Sequence, residues 1–492
     1  MLQGTGSDAG KSLLVAGLCR FFANNGIKPK PFKPQNMSNN AAITADGGEI
    51  GRAQVTQARA CRVEPTVDMN PVLLKPESDT GSQVVLHGKA VVTKSANDYI
   101  AYRNTLLQSV LDSFGRLRDT ADVVVVEGAG SISEVNLRDG DIANMGFASA
   151  AQVPVVLVAD IDRGGAIASI VGSYLLLSDA EKPLLKGYII NKFRGDYEVF
   201  KPAEKIIMEH TGLPCLGSVP WFEGADLLPA EDSLALENRR SGKTPPGKMI
   251  KIYVLGLSRI SNFDDFDPLA AEPDVSLSFI RSGDPVPGDG DLIIIPGTKS
   301  TIADLAFIRK QGWDIDIAAH IRRGGMVVGI CGGYQILGRG ISDPHGIENP
   351  EPLTVAGLGL LDVVTVMSPE KTLKRFKAVT NDNMEISGYE IHLGVTSGRG
   401  TDRPMLYLDG VPEGALRSDG LVAGCYIHGL FTNDEYRAKF LSSFRGGDGF
   451  GAARLCYENA VEGALDELSY LLADHLDMKT IAKIAGLANF RF

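Results

Sequence analysis

The chain has 492 residues, of which 44% are hydrophobic and 22% charged, with a formal net charge of −11. Its length suits roughly two to four domains with buried cores, and its composition is that of a folded globular protein and not of a disordered one. The acidic balance excludes a general nucleic-acid binder, while no basic-then-apolar leader opens the chain and no apolar run approaches the roughly 20 residues that cross a bilayer. Six cysteines, at 19, 61, 215, 331, 425 and 456, are scattered without a CxxC or any metal-ligand spacing. The expectation is a reduced, soluble, cytoplasmic protein with neither nucleic acid nor membrane as a partner.

Only Met1-Leu2-Gln3 precede Gly4. The first strand is therefore shorter than the common length of about 5–6 residues, or the natural start lies upstream. Gly4-Thr5-Gly6-Ser7-Asp8-Ala9-Gly10-Lys11-Ser12 reads as a phosphate-binding loop running into a helix over 12–24, which Gly26 closes. In such a loop, backbone N–H groups and the helix N-terminus face phosphate oxygens. Thr5, Gly10, Lys11 and Ser12 are the expected ATP-binding residues, with Lys11 on the β/γ-phosphates and the Ser12 hydroxyl on Mg²⁺. Thr5 stands where the common pattern has its first glycine.

Lys33, in PFKPQN (31–36), follows a short strand and is placed to reach the transferred phosphate. Asp46, in TADGGE (44–49), and Glu127, which closes the strand DVVVVE (122–127), are the candidate Mg²⁺ ligands beside Ser12. A carboxylate at the C-terminal end of a parallel strand is a natural place for one. The runs VPVVLVA (153–159) and GYII (187–190) continue the strand-helix alternation, so residues 1–237 read as one parallel-sheet domain covered by helices on both faces. Asn191, directly after GYII, is the candidate for hydrogen-bonding adenine.

Residues 238–248 (NRRSGKTPPGK) lose all hydrophobic periodicity and read as a linker. A second α/β domain follows over 249–445, with strands at 250–255, 292–295 and 326–330. A helical extension over 446–492 is positioned to cap it. In this second domain GICGG (329–333) is a strand, tight turn and helix that lift the Cys331 thiol clear as a nucleophile. The His428 side chain in CYIHGLF (425–431) is its expected base, with His392 as rival or substrate-binding helper. Backbone N–H groups at Gly297 and Gly332 are the expected oxyanion hole.

A nucleotide loop and a thiol site on one chain point to a glutamine-dependent amide ligase, one half freeing ammonia and the other activating a carboxylate to receive it. The form GTxxxxGKS resembles the loop of dethiobiotin synthetase-like ligases. QGTGSDAGKS (3–12), PFKPQNMSNN (31–40), TADGGEIGRAQ (44–54), SRISNFDDFDPL (258–269), IPGTKSTIADL (295–305), GICGGYQILG (329–338), SGYEIHLG (387–394) and CYIHGLF (425–431) together resemble the cobyric acid synthases, cobalamin-type glutamine amidotransferases of corrinoid biosynthesis.

The resemblance implies a P-loop domain followed by a class I glutamine amidotransferase-like domain. It also implies ATP- and Mg²⁺-dependent amidation of the b, d, e and g carboxylates of adenosylcobyrinic acid a,c-diamide, with glutamine as nitrogen source. The family's nucleophile and histidine motifs fall on Cys331 and His428. Many class I amidotransferases carry an acid two residues after this histidine. Leu430 stands there, and Glu390 is the candidate to hold His428 instead. Three rivals are kept open: the a,c-diamide synthase of the same pathway, an amidotransferase acting on a peptidoglycan precursor, and a P-loop switch that binds protein partners.

Overall fold

Runs of valine and isoleucine bounded by glycine become the parallel strands of two separate sheets. The computed structural model describes residues 1–77, 81–229, 231, 249–349, 351–445 and 454–487. The expected linker at 238–248 lies outside the described residues. The chain divides into two units, one of Met1–Ser38, Thr44–Glu231 and the segment from Val461 onward, the other of Asn39–Ile43 and Asp232–Ala460.

In the first unit β1 (Leu2–Gly4), β2 (Pro29–Phe32), β3 (Val123–Ser131), β4 (Val155–Asp160), β5 (Leu185–Phe193) and β6 (Cys215–Pro220) form a six-stranded sheet in the order β6-β5-β4-β1-β3-β2. Every pairing in it is parallel. Three-residue β1 is central, pairing with both β3 and β4. Such strands are buried on both faces and read as unbroken apolar runs. On one face Phe32, Phe114 and Phe147 pack with ring centroids 5.3–5.5 Å apart. Each fully buried ring contributes about 1.5–3 kcal/mol of transfer free energy. A four-stranded sheet over Gln35–Met37, Val72–Pro76, Gly81–Leu86 and Lys89–Ser95, partly antiparallel, was not expected from the sequence.

Helix α1 (Lys11–Asn24) follows the phosphate loop, and Leu14 through Phe22 are buried without interruption. A helix apolar on all sides needs cover on all sides. The second cover comes from the tail. α2 (Tyr457–His475) brings Leu468 and Leu472 so close to Gly17 that a Cβ there would lie 2.5 Å from Leu472 Cδ1. The fully buried Arg20 pairs with Glu462, and Asp477 N donates to Leu216 O at 2.8 Å. The tail was expected to cap the second domain. It packs instead on the first unit, where α1 is the apolar surface that requires it.

In the second unit β7 (Ile250–Leu255), β8 (Val275–Ile280), β9 (Leu292–Ile295) and β10 (Met326–Ile330) precede a long hairpin of β11 (Val364–Thr380) and β12 (Glu385–Ser397). β13 (Ala415–Leu416), β14 (Val422–Cys425) and β15 (Ile427–His428) follow. One sheet runs β8-β7-β9-β10-β14-β13, parallel except for β13. A second contains β11, β12 and β15. The chain changes sheets at Tyr426, between β14 and β15. Residues 39–43 belong to this unit: Asn262 Nδ2 donates to Ala41 O at 2.8 Å and Arg375 Nε to Ile43 O at 2.7 Å.

Candidate active site

The phosphate loop leaves the C-terminal end of β1. Gly10 takes φ 85°, the left-handed turn that starts α1. Lys11 is 7% exposed and donates to two carbonyls, Gly130 O at 2.9 Å and Gly6 O at 3.4 Å. Among the described residues it makes no ion pair. Burial lowers its pKa, which Glu127 partly opposes. A buried ammonium resting on neutral carbonyls, with Gly6 facing open space, fits an incoming polyphosphate. Thr5 is tied down through its backbone: its N–H donates to Val158 O at 2.9 Å and its carbonyl accepts from Ser131 Oγ at 2.8 Å.

Glu127 is fully buried at the end of the valine run of β3. Ser12 Oγ lies 2.7 Å from its Oε1, and Lys33 Nζ donates to the same oxygen at 2.8 Å. Burial pushes Lys33 down, but Glu127 and Glu231 outweigh it and raise the ammonium above its ordinary range. Ser12, Lys33 and Glu127 are thus brought together, and a hydroxyl beside a carboxylate is donor chemistry that suits Mg²⁺.

One expected residue sits otherwise, and a second makes an additional contact. Asp46 is exposed in the turn after Ile43, where its carboxylate takes the Thr44 hydroxyl, and it makes no contact with Ser12 or Glu127. Asn191 is 3% exposed, and its Nδ2 donates to Ala9 O at 2.8 Å. It braces the phosphate loop through one of its two amide N–H groups. The acid that joins Ser12 in place of Asp46 is Glu231, whose Oε2 lies 2.7 Å from Ser12 Oγ.

In the second unit the register Ile330↔Cys425 puts Cys331 and Tyr426 at the ends of neighbouring parallel strands. Cys331 has φ 52° and ψ −112° and starts the helix α3 (Gly332–Leu337), which lies earlier in the chain than α2. A non-glycine residue held there stores about 1–3 kcal/mol. The flanking glycines permit it: a Cβ on Gly333 would lie 1.9 Å from Ile295 O, and one on Gly329 2.6 Å from Gly333 O. Gly332 is the first helical residue, so its N–H has no intrahelical acceptor. A Cβ on Gly332 would meet Thr298 Cγ2 at 2.7 Å, and one on Gly297 would meet His428 Cε1 at 3.2 Å. The 297–298 turn therefore faces both the elbow and the imidazole.

His428 is 1% exposed. Its Nδ1 is 2.7 Å from Asp265 Oδ2, and Gly429 N donates to Asp265 Oδ1 at 2.8 Å. The Tyr389 ring stacks on the imidazole at 5.2 Å. Burial would lower the His428 pKa, but the Asp265 carboxylate and the neighbouring Cys331, within hydrogen-bonding reach, push it up to about 10. The acid that holds His428 is thus Asp265, in the 3-10 turn Phe263–Phe266, and not Glu390. Glu390 points at His392 instead, 3.7 Å from Nε2. His392 stacks on Tyr426 at 3.7 Å between centroids and contacts Gly394 O, so it lies beside the elbow and not on its base. The sequence signal for Asp265 was the acid-rich SNFDDFDP stretch, which carried no indication of which acid turns inward.

Residues 1–226 match the model of an AAA domain family, and residues 251–436 match that of the CobB/CobQ-like glutamine amidotransferase domain. The chain is 56% identical over 487 residues to a cobyric acid synthase of Rhizobium rhizogenes (strain K84), 99% of each chain being covered. It is 55% identical over 487 residues to one of Sinorhizobium fredii (strain NBRC 101917 / NGR234), and 54% identical over 489 residues to one of Caulobacter sp. (strain K31), again with 99% of each chain covered. These relatives favour neither an a,c-diamide synthase nor a partner-binding switch. Among the described residues no helix is long and apolar enough to cross a membrane.

Proposed function

The chain belongs to the cobyric acid synthase family of glutamine-dependent ligases, and on that premise we propose that it amidates the b, d, e and g side-chain carboxylates of adenosylcobyrinic acid a,c-diamide in the cytoplasm, with ATP, Mg²⁺ and glutamine as co-reactants. The observation that carries this reading is the Cys331 elbow facing a His428 locked to Asp265, in a chain so similar along its whole length to cobyric acid synthases.

In this reading the Cys331 thiolate attacks the side-chain amide carbon of glutamine. Backbone N–H groups at Gly332 and Gly297 receive the developing oxyanion. His428, charged at neutral pH, passes a proton from Nε2 to the departing ammonia, while Asp265 keeps Nδ1–H in place and stabilises the imidazolium. Water then enters on the thioester, with His428 as base, and releases glutamate.

In the first unit Lys11 and Lys33 neutralise charge on the phosphoryl group passing to a corrin carboxylate, and ammonia displaces phosphate from the acyl phosphate. Ser12 and Glu127 would hold Mg²⁺, which when bound would supply further neutralisation of the phosphate oxygens. Thr5 and Gly10 shape the loop, and Asn191 supports it.

The test is a reaction of purified protein with adenosylcobyrinic acid a,c-diamide, ATP, Mg²⁺ and glutamine, followed by mass spectrometry. Four successive acid-to-amide exchanges are expected. No exchange, from a preparation that hydrolyses glutamine, would mean a different acceptor.

A further inference from the structure

Glu231 is not part of the phosphate loop, yet it reaches the loop's centre from 219 residues beyond Ser12. Its backbone is anchored there, since Ser38 Oγ donates to Glu231 O at 2.7 Å. Its carboxylate is shared, with Oε1 taking a hydrogen bond from Lys33 Nζ and Oε2 lying 2.7 Å from Ser12 Oγ. We propose that Glu231 is a third protein ligand, with Ser12 and Glu127, of the divalent cation that accompanies the nucleotide. The inference rests on the reading of the first unit as a Mg²⁺-nucleotide site.

A count of protons carries the argument. Ser12 has one hydroxyl proton, but carboxylate oxygens of both Glu127 and Glu231 lie 2.7 Å from its oxygen. One of these contacts therefore sets lone pairs against lone pairs unless a cation stands between them. In the free chain Lys33 supplies positive charge to both acids.

A second, independent surplus of acceptors lies alongside. Gln57 is 1% exposed; its Nε2 donates to Glu127 Oε2 at 2.6 Å and to Ser12 O at 3.3 Å, while its own Oε1 is buried with no partner among the described residues. Gln57 thereby occupies one oxygen of Glu127 and leaves the other facing Ser12 and Lys33. Hard oxygen donors outnumbering the available protons is the composition that a Mg²⁺-type ion satisfies. Asp46, the acid that sequence spacing offered for this role, makes no contact with the group.

The probe is Mn²⁺, whose free aqua ion is counted by electron paramagnetic resonance, titrated into the full chain in the presence of ADP. Glu231→Gln should weaken Mn²⁺ binding by about tenfold or more, and Asp46→Asn should leave it as in the natural chain. Glu231→Asp, which keeps the charge but withdraws the oxygens, should also weaken binding without lowering the thermal midpoint, and it covers the case in which the glutamine variant folds poorly. Mn²⁺ bound by Glu231→Gln as tightly as by the natural chain, or more tightly, would overturn the proposal, the latter showing that the carboxylate obstructs the site. A natural chain that binds no Mn²⁺ with ADP would instead overturn the nucleotide reading beneath it.

Discussion

Asp265 Oδ2 lies 2.7 Å from His428 Nδ1 across a separation of 163 residues, and the second oxygen of the same carboxylate accepts the N–H of Gly429. The carboxylate thus fixes both the ring and the backbone that carries it. Its two oxygens engage two donors that move together, so the imidazole can neither rotate nor exchange tautomers without breaking the pair.

Asp265→Asn keeps the shape and removes the charge. Glutamine-dependent turnover should fall by about 10²–10⁴-fold, while amidation driven by added ammonium persists. A pH profile distinguishes this from simple misfolding. Asp265 raises the His428 pKa in the folded chain, and a raised pKa contributes stability that is fully present below the ordinary value of 6.5 and is lost as pH rises through about 10. The thermal lead of the natural chain over the variant should therefore shrink between those two values.

Cys331→Ser removes the nucleophile without adding bulk. Glutamine hydrolysis should drop by about 10³-fold or more, and high ammonium should restore product. Loss of both activities in a folded variant would end the division of labour between the two units.

Glu413 is a half-buried carboxylate near the thiol site whose Oε1 accepts Tyr426 N at 2.8 Å. Burial, with Glu390 adding to it, pushes its pKa from 4.5 up to about 7. Ionising it therefore opposes folding, by an amount that is absent below 4.5, builds through the interval and is complete above 7. Glu413→Gln should raise Tm by a few degrees at pH 8 and bring no gain at pH 4.5, as read by thermal melts across that range.

Lys33 stands between two carboxylates, Glu127 and Glu231, and both its own side chain and that of Glu127 are almost fully buried. Lys33→Met should destabilise the first unit by about 3–5 kcal/mol, because uncompensated charge is left inside. Adding Glu127→Gln to it should recover part of the loss. Urea unfolding of the single and double variants measures both.

What was legible in the sequence was what is local. The glycines at 329 and 333 announce the elbow because its backbone needs them within two residues of Cys331, and the valine run announces the strand that ends at Glu127. Asp265 and Glu231 were not legible, since each meets its partner across more than 160 residues and lies among other acids with no spacing that sets it apart. Asp46 and Glu390 lie next to motifs in the sequence, but the turn at Thr44 and the pairing with His392 occupy them instead. The hairpin of β11 and β12 is hard to read because the middle of β11 carries Glu370, Lys371, Lys374, Arg375 and Lys377 with few apolar residues between them.

The close fit of Leu472 on Gly17 has a meaning for synthesis. α1 emerges from the ribosome near the start of translation, but the helix that covers it is made only after nearly all of the second unit. For that interval the nascent first unit carries an open apolar seam beside an unpaired Arg20, and its final contacts have the long sequence separation that slows folding. A first half expressed alone would keep that seam permanently, so solubility of such a fragment should depend on supplying the last helices in trans.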